Sequence, residues 1–191
     1  MGTDVTKRLF TVEEFNKMAE ADILHAYDRV ELIDGEIIQM SPIGYRHTVC
    51  TDRANTVFIE TLGRRAVVSI QNGLPLSDRT EPQPDVVVYK PSADFYAARR
   101  RTAGDVLFLV EVSDSTLSLD QKVKLPRFAA AGIPEVWIED LQHDLLFVYR
   151  EPRGETYDTV LTLRPGDSVS PAAFPDVKFS VQELLSTDCI F

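Results

Sequence analysis

The sequence predicts an α/β domain in which a mixed β-sheet is flanked by helices and carries added strands towards both ends of the chain. Apolar strand-like segments at 106–112 and 136–138 are separated by a helical segment at 120–131. In such a strand-helix-strand unit the helix is a crossover connection, and the two strands lie in one sheet. A second helix is predicted at 46–62, where apolar residues recur at the spacing of one helical face. Further strand-like segments, separated by turn residues, complete the sheet.

The first part of the chain predicts a short helix followed by a hairpin. Thr11 stands three residues before Glu14, which is the spacing of a helix capping box. Asp34-Gly35 separates the apolar segments 31–33 and 36–38, and this dipeptide favours a tight two-residue turn. We therefore expect an amphipathic helix after Thr11 and two antiparallel strands around residue 34.

The middle of the chain predicts the main layers of the fold. The helix at 46–62 ends before Gly63, and strands follow at 66–70, 85–89 and 106–112. The third of these strands is continuously apolar from 106 to 110, as expected for a strand that is covered on both faces. The helix at 120–131 then ends at Gly132, before the strand at 136–138.

The last part of the chain predicts two more strands and a short helix. The strands are expected at 145–149 and 157–163, around a turn at 152–154. Ser180 stands three residues before Glu183 and predicts the cap of the final helix. Trp137, Phe108 and Phe128 are interpreted as core residues and not as a platform for nucleic-acid bases.

Size and composition indicate one soluble globular domain over residues 1–191. The chain is 44% hydrophobic and 26% charged, and no apolar run approaches the roughly 18 residues that a membrane span needs. Residues 1–10 lack an apolar signal core, so we expect a cytoplasmic protein without a membrane partner. Cys50 and Cys189 are far apart and are expected to be free thiols in a reducing compartment.

The charge balance argues against a protein that coats nucleic acid through phosphate contacts alone. The chain carries 20 basic and 30 acidic residues, a net charge of −10. Basic clusters nevertheless occur at 64–65, at 99–101 and at Lys122, Lys124 and Arg127. They indicate either a positive groove on an acidic body or ordinary solvated patches.

Two carboxylates stand where a buried strand would not normally carry them. Glu111 interrupts the apolar strand 106–112, and an ionised carboxylate there costs several kcal/mol unless a cation or hydrogen bonds compensate it. Asp85 follows Pro84 and leads directly into three valines. If the two strands are neighbours, both carboxylates converge on one hard divalent cation, which prefers oxygen ligands. The alternatives are a turn acid at Asp85 and a solvent-facing strand residue at Glu111.

These residues resemble a known group of nucleases. Pro84-Asp85 followed by Glu111-Val112-Ser113 resembles the PD-(D/E)XK superfamily, although the usual Lys would stand where Ser113 is. The segments 110–116 and 131–138, with Asp120 and Lys124 between them, are similar to the Uma-type restriction endonuclease family. The segments 30–36 and 41–47 also resemble the opening of that family, so the resemblance covers nearly the whole chain.

The resemblance implies a restriction-endonuclease-like fold and metal-dependent hydrolysis of phosphodiester bonds in nucleic acid, with DNA favoured. Asp85 and Glu111 are expected to bind Mg²⁺ or Mn²⁺ with the carbonyl of Val112, and Lys124 to orient or activate water. Lys122 remains a rival for the catalytic cation. Glu31 is a candidate third carboxylate, with a solvent-facing strand Glu as its alternative.

The resemblance also implies a homodimer, because a two-strand cut needs two active sites. His47 opens the helix at 46–62, where it either contacts a phosphate or a metal-bound water or serves a structural role. Two other functions stay open. One is a binding module that keeps the fold without turnover, and the other is a metal-dependent phosphohydrolase that acts on nucleotides.

Overall fold

The computed structural model describes residues 6–25 and 27–185, and a six-stranded sheet organises them. The helices are α1 (Val12–Glu20), α2 (Tyr45–Leu62), α3 (Leu117–Leu119), α4 (Leu125–Ala130) and α5 (Val181–Leu184). The strands are β1 (Val30–Ile33), β2 (Glu36–Gln39), β3 (Val67–Ile70), β4 (Val86–Tyr89), β5 (Val106–Ser113), β6 (Glu135–Asp140), β7 (Leu145–Arg153), β8 (Thr156–Leu163), β9 (Ser168–Val169) and β10 (Phe179–Ser180). Short 3-10 turns lie at Gly63–Arg65 and Ala103–Asp105, and a π-helical turn lies at Asp120–Lys124.

The main sheet is mixed and has the strand order β3-β4-β5-β6-β7-β8. Only β5 and β6 run in parallel, and they are joined by the helical segment 117–130. The other neighbouring strands pair antiparallel. The hairpin β1-β2 forms a separate two-stranded sheet, as do β9 and β10. This architecture confirms the predicted mixed sheet with helices and added strands.

Each face of the sheet carries its own core. On one face α2 packs through Ala54 and Phe58 against alternate residues of β4 and β5, with Trp137 of β6 at the centre. On the other face Phe128 and Ala129 of α4 pack against β4, β5 and β6. Because both faces of β5 are covered, its continuous apolar sequence is explained. Trp137, Phe108 and Phe128 are all core residues, as predicted.

The local turn and capping signals formed as the sequence indicated. The Thr11 hydroxyl accepts from the amide of Glu14, and the Glu14 side chain accepts from the amide of Thr11, so the capping box of α1 is complete. Asp34 and Gly35 both adopt positive φ, at 51° and 81°, in the two-residue turn of the hairpin. The hydroxyl of Ser180 accepts from the amide of Glu183 and caps α5.

The helical segment before β6 differs from the prediction of one regular helix over 120–131. Helical structure already begins at Leu117, and the five residues Asp120–Lys124 form a π-helical turn. The amide of Leu125 closes this turn by donating to the carbonyl of Asp120. Pro126 follows within the first turn of α4, where its missing N–H is tolerated. A wider turn thus precedes the proline in place of continuous α-helix.

The turn predicted at 152–154 begins only at Gly154 and includes Glu155. Pro152 and Arg153 still belong to β7 and pair with Tyr157 and Thr156 of β8, so the reversal occurs at Gly154, whose φ is positive at 59°. No helix in residues 6–25 and 27–185 is long and apolar enough to cross a bilayer. Cys50 is buried, and Cys189 lies outside the described residues.

Candidate active site

A cavity opens at the end of the main sheet where β4 begins and β5 finishes. Its walls come from the hairpin β1-β2, the loop at 40–44, the first turn of α2, and the helical segment that follows β5. Asp85, Glu111, Lys124 and Glu31 all line this cavity, and so does Val112. The residues that the sequence singled out from four distant segments are therefore brought together.

Lys124 is buried at the centre of this group. Its ammonium lies 3.2 Å from Glu111 Oε1, 3.3 Å from Glu31 Oε1 and 3.5 Å from Asp120 Oδ1. Burial alone would lower the pKa of Lys124, but the facing carboxylates outweigh it and hold the pKa above its ordinary value. Lys124 is therefore a fixed cation. Lys122, its rival in the sequence, is exposed and does not line the cavity.

Glu111 carries the charge that this cation compensates only in part. Burial raises the pKa of Glu111 well above its usual value, Lys124 lowers it, and the nearby acids Asp120, Asp85 and Glu31 raise it further. The alternative of a solvent-facing strand residue is wrong, since Glu111 is 2% exposed. Positive charge in addition to Lys124 would favour the ionised form of its carboxylate.

Asp85 is fixed at the start of β4 by the neighbouring strand and by α2. Its Oδ2 accepts from the amide of Val112 at 2.8 Å, and its Oδ1 lies 3.1 Å from His47 Nε2. Gln71 Nε2 approaches Oδ1 at 3.4 Å. Asp85 is therefore a buried acid tied to β5, and not an exposed turn residue. His47 lines the same cavity.

Asp120 links the helical segment to the strand that carries Glu111. Its Oδ2 accepts from the hydroxyls of Ser113 and Thr116, each at 2.7 Å, while its Oδ1 faces Lys124. The Ser113 side chain thus orients Asp120, which in turn contacts Lys124.

Glu31 is buried on the inner side of the hairpin. Its Oε2 accepts from the amide of Gln83 at 3.0 Å, and its Oε1 faces Lys124. The alternative of a solvent-facing strand Glu is therefore wrong. Glu31 adds a third carboxylate to the contacts of Lys124, and its position depends on the loop that precedes β4.

The donor chemistry of the cavity fits a hard divalent cation. The carboxylates of Asp85 and Glu111 and the carbonyl of Val112 are oxygen donors of the kind that Mg²⁺ and Mn²⁺ prefer. The excess negative charge around Glu111 also favours a cation at this position. Within residues 6–25 and 27–185, no three His, Cys, Asp or Glu side chains form a ready-made metal site. Water molecules would have to supply the remaining ligands of such a cation.

Among the buried acids that the sequence interpretation did not single out, Glu139 stands apart because its carboxylate is unpartnered within the described part of the chain. Glu139 of β6 is fully buried, and neither of its carboxylate oxygens has a hydrogen-bond partner among the described residues. Burial raises its pKa well above the usual value, Asp85 raises it further, and Arg46 lowers it. The signal was present in the sequence, because Glu139 directly follows the apolar residues 136–138 just as Glu111 interrupts its strand.

Most arginines of the predicted basic clusters are engaged in contacts within the protein. Arg65 pairs with Asp176, Arg99 with Asp105, and Arg127 with Asp34. Arg100 pairs with Glu81, and Arg101 donates to Ser69. These arginines therefore connect separate segments of the described structure, and their charges are partly neutralised by the protein itself.

Comparison with known proteins shows that this organisation is shared with a protein family and with solved structures. The family model Uma2, described as "Putative restriction endonuclease", matches residues 12–182. The crystal structure of a putative nuclease belonging to DUF820 from Anabaena variabilis matches with a TM-score of 0.71 and 19% identity, over 93% of this chain and 98% of that chain. Identity this low shows a shared fold and no more. No curated protein sequence matches this chain.

Proposed function

This chain belongs to the Uma2 family of putative restriction endonucleases, whose model spans residues 12–182, and we propose that it is a metal-dependent endonuclease that hydrolyses phosphodiester bonds in DNA. The observation that carries the proposal is the contact of the buried Lys124 ammonium with Glu31, Glu111 and Asp120 in the cavity that Asp85 also lines. A fold without a catalytic task gains little from so many buried charges, because each costs desolvation energy.

Asp85, Glu111 and the carbonyl of Val112 would hold Mg²⁺ or Mn²⁺. When bound, the cation supplies Lewis-acid activation of the phosphate and lowers the pKa of a coordinated water. Asp85 is suited to this role because the amide of Val112 and the ring of His47 fix the orientation of its carboxylate. Glu111 is suited to it because its buried charge requires more compensation than Lys124 provides.

Lys124 acts as a charged hydrogen-bond donor and not as a base. Its raised pKa keeps the ammonium protonated, so it orients the attacking water or a phosphate oxygen and stabilises the charge that develops in the transition state. An ammonium has three N–H donors, and three carboxylates already face it. An incoming oxygen must therefore replace one of them as acceptor.

Asp120 is the carboxylate that can release Lys124 at the least cost. Its contact with the ammonium is the longest of the three, at 3.5 Å, and its other oxygen already accepts from Ser113 and Thr116. Those two hydroxyls continue to satisfy Asp120 when Lys124 turns towards substrate. Asp120 thereby positions Lys124 before substrate binds.

We further propose that the protein acts in the cytoplasm as a homodimer. Two copies related by a two-fold axis would present two active sites, one to each strand of a duplex. The net charge of −10 makes it unfavourable for the protein to coat DNA, so recognition would depend on local contacts at the cavity.

The test is a cleavage panel of duplex DNA, single-stranded DNA, RNA and nucleotides, each with Mg²⁺, Mn²⁺ or EDTA. We expect polymer cleavage with metal and none in EDTA. Asp85→Asn should abolish it while the fold is kept, since Asn still accepts from the amide of Val112. Asp52→Asn, an exposed acid on α2, is the matched control and should cleave normally. Cleavage that persists in EDTA or in Asp85→Asn contradicts the proposal.

One observation favours an alternative function, a binding module without turnover. Lys124 already fills the space among its three carboxylates, as a structural cation would. Such a module binds oligonucleotide without metal and takes up no Mg²⁺ or Mn²⁺ in calorimetry. Cleavage of nucleotides without cleavage of polymers would instead identify a phosphohydrolase.

A further inference from the structure

The catalytic cavity adjoins a second, larger groove between α1, the hairpin and the loop at 71–73. Arg29, Met40, Ile43 and Gln83 line both spaces and therefore form the junction between them. An extended ligand that occupies both spaces contacts these four residues.

Arg29 stands at this junction with its side chain unpaired. It is half-buried, and within the described part of the chain its guanidinium makes no hydrogen bond or ion pair. The other half-buried arginines that the structure describes all have partners: Arg46, Arg53, Arg101, Arg127 and Arg150. A guanidinium carries five N–H donors, and at Arg29 none of them is taken by another protein group that the structure describes, so all are available to a ligand.

The backbone of Arg29 is held in a strained conformation. Its φ is +47°, in the left-handed region that side chains other than Gly, Asn and Asp rarely adopt. Hydrogen bonds to the Arg29 carbonyl from the Met40 amide at 2.8 Å and from Gln39 Nε2 at 3.3 Å hold it there. These contacts fix the position from which the Arg29 side chain leaves the backbone.

The charges of the cavity make Arg29 the available cation. Five carboxylates line the cavity, namely Glu31, Asp85, Glu111, Asp114 and Asp120. Of its two permanently cationic side chains, Lys124 is already shared among three of those acids, and Arg29 is the other. A polyanionic strand entering so acidic a space needs a cation that is not already neutralised.

We propose that Arg29 binds a backbone phosphate of the nucleic-acid strand, next to the phosphate that is cut, where the catalytic cavity meets the second groove. This inference rests on the proposed nuclease function. The planar guanidinium offers two parallel donors to a phosphate, which fixes the direction of the strand. Arg29 is thus a substrate-positioning residue.

The test measures oligonucleotide binding separately from cleavage. Fluorescence anisotropy of labelled single-stranded and duplex DNA is recorded over a series of salt concentrations, with Ca²⁺ and the full chain carrying Asp85→Asn. Adding Arg29→Gln should weaken binding about tenfold at low salt and reduce the slope of log K against log salt by about 0.9 for duplex or 0.7 for a single strand. Arg29→Lys should keep the slope, because it keeps the charge. Arg164→Gln, an exposed arginine beyond the opposite edge strand of the sheet, is the matched control and should change neither quantity.

A stability measurement separates ligand binding from a structural role. Arg29→Gly relieves the positive φ and should melt at or above the temperature of the parent, while binding as weakly as Arg29→Gln. Lower melting temperatures in both variants would assign Arg29 a structural role and overturn the inference.

Two further outcomes distinguish a failure of the Arg29 inference from a failure of the proposed nuclease function. If Arg29→Gln binds DNA like Arg164→Gln while the unmodified protein still cleaves DNA, the inference fails and the nuclease function stands. If the unmodified protein neither binds nor cleaves any polymer, both fail.

Discussion

Replacing Lys124 with Met tests whether this buried ammonium holds the site together. The change removes the cation that faces Glu31, Glu111 and Asp120 and leaves a side chain of similar length. Breaking a buried charge cluster by removal of one partner costs about 3 to 5 kcal/mol. For a domain of this size each kcal/mol lowers the melting temperature by about 2 to 4 °C, so we expect a fall of about 6 to 20 °C at pH 8.

The loss of stability in Lys124→Met should increase as the pH rises. Burial raises the folded-state pKa of Glu111 above its unfolded value, and without Lys124 the cation that lowers it is gone. The stability that protonated Glu111 contributes is fully present below the unfolded pKa, near 4, and is lost as the pH rises through the folded pKa. The deficit of Lys124→Met relative to the parent should therefore be small near pH 4.5 and largest at pH 8.

The assay is thermal and urea unfolding by circular dichroism in EDTA, from pH 4.5 to 8. Lys122→Met is the matched control two residues away, and because Lys122 is exposed we expect a change within about 0.5 kcal/mol. Adding Glu111→Gln to Lys124→Met should recover part of the loss, since it removes one of the uncompensated charges. Equal effects of Lys124→Met and Lys122→Met, or a deficit that does not change with pH, would refute the role of Lys124 at the centre of the cluster.

Three further results are expected. Lys124→Ala should lower the rate of metal-dependent cleavage by about 10²-fold or more, with little change in metal affinity by calorimetry. A larger loss of cleavage rate in Lys122→Ala would assign the catalytic role to Lys122 instead. Glu139→Leu should raise the free energy of unfolding at pH 8 by about 1 to 3 kcal/mol, because it removes an acid with unpartnered oxygens. Since the pKa of Glu139 is raised, that gain should shrink as the pH falls towards 4, and urea unfolding at both pH values checks it. Light scattering at micromolar concentration should give the mass of a dimer, and a monomer would argue against a two-strand cut by one assembly.

The elements that the sequence predicted well are those whose signals are local. The capping box of Thr11 and Glu14 and the turn at Asp34-Gly35 need only a few neighbouring residues, and both formed as expected. Glu111 was also identifiable, because a charged residue inside an apolar strand is anomalous whatever the fold around it is. Glu139 offers the same anomaly at the end of β6, and applying the argument there would have found it.

Glu31 shows where local reasoning fails. Glu31 and Glu36 stand on opposite arms of one hairpin, and nothing in the nearby sequence separates them. The structure buries Glu31 against Lys124 and the Gln83 amide, while the Glu36 side chain remains exposed and pairs with Lys7. The difference arises because the hairpin contacts the segment before β4, where Leu32 bridges to Glu81. A contact between residues about 50 positions apart cannot be obtained from a local pattern.

The position of the Lys124 ammonium depends on such a contact as well. Glu111 and Ser113 are two residues apart on β5 and face the same side, so both reach the helical segment that follows. Ser113 donates to Asp120 and Glu111 accepts from Lys124, which ties the strand to both ends of the π-helical turn. A Lys at position 113 would bring the ammonium in from the strand itself. Here the strand supplies a hydroxyl, the helix supplies the ammonium, and the widened turn before Pro126 keeps Asp120 and Lys124 directed at the strand end.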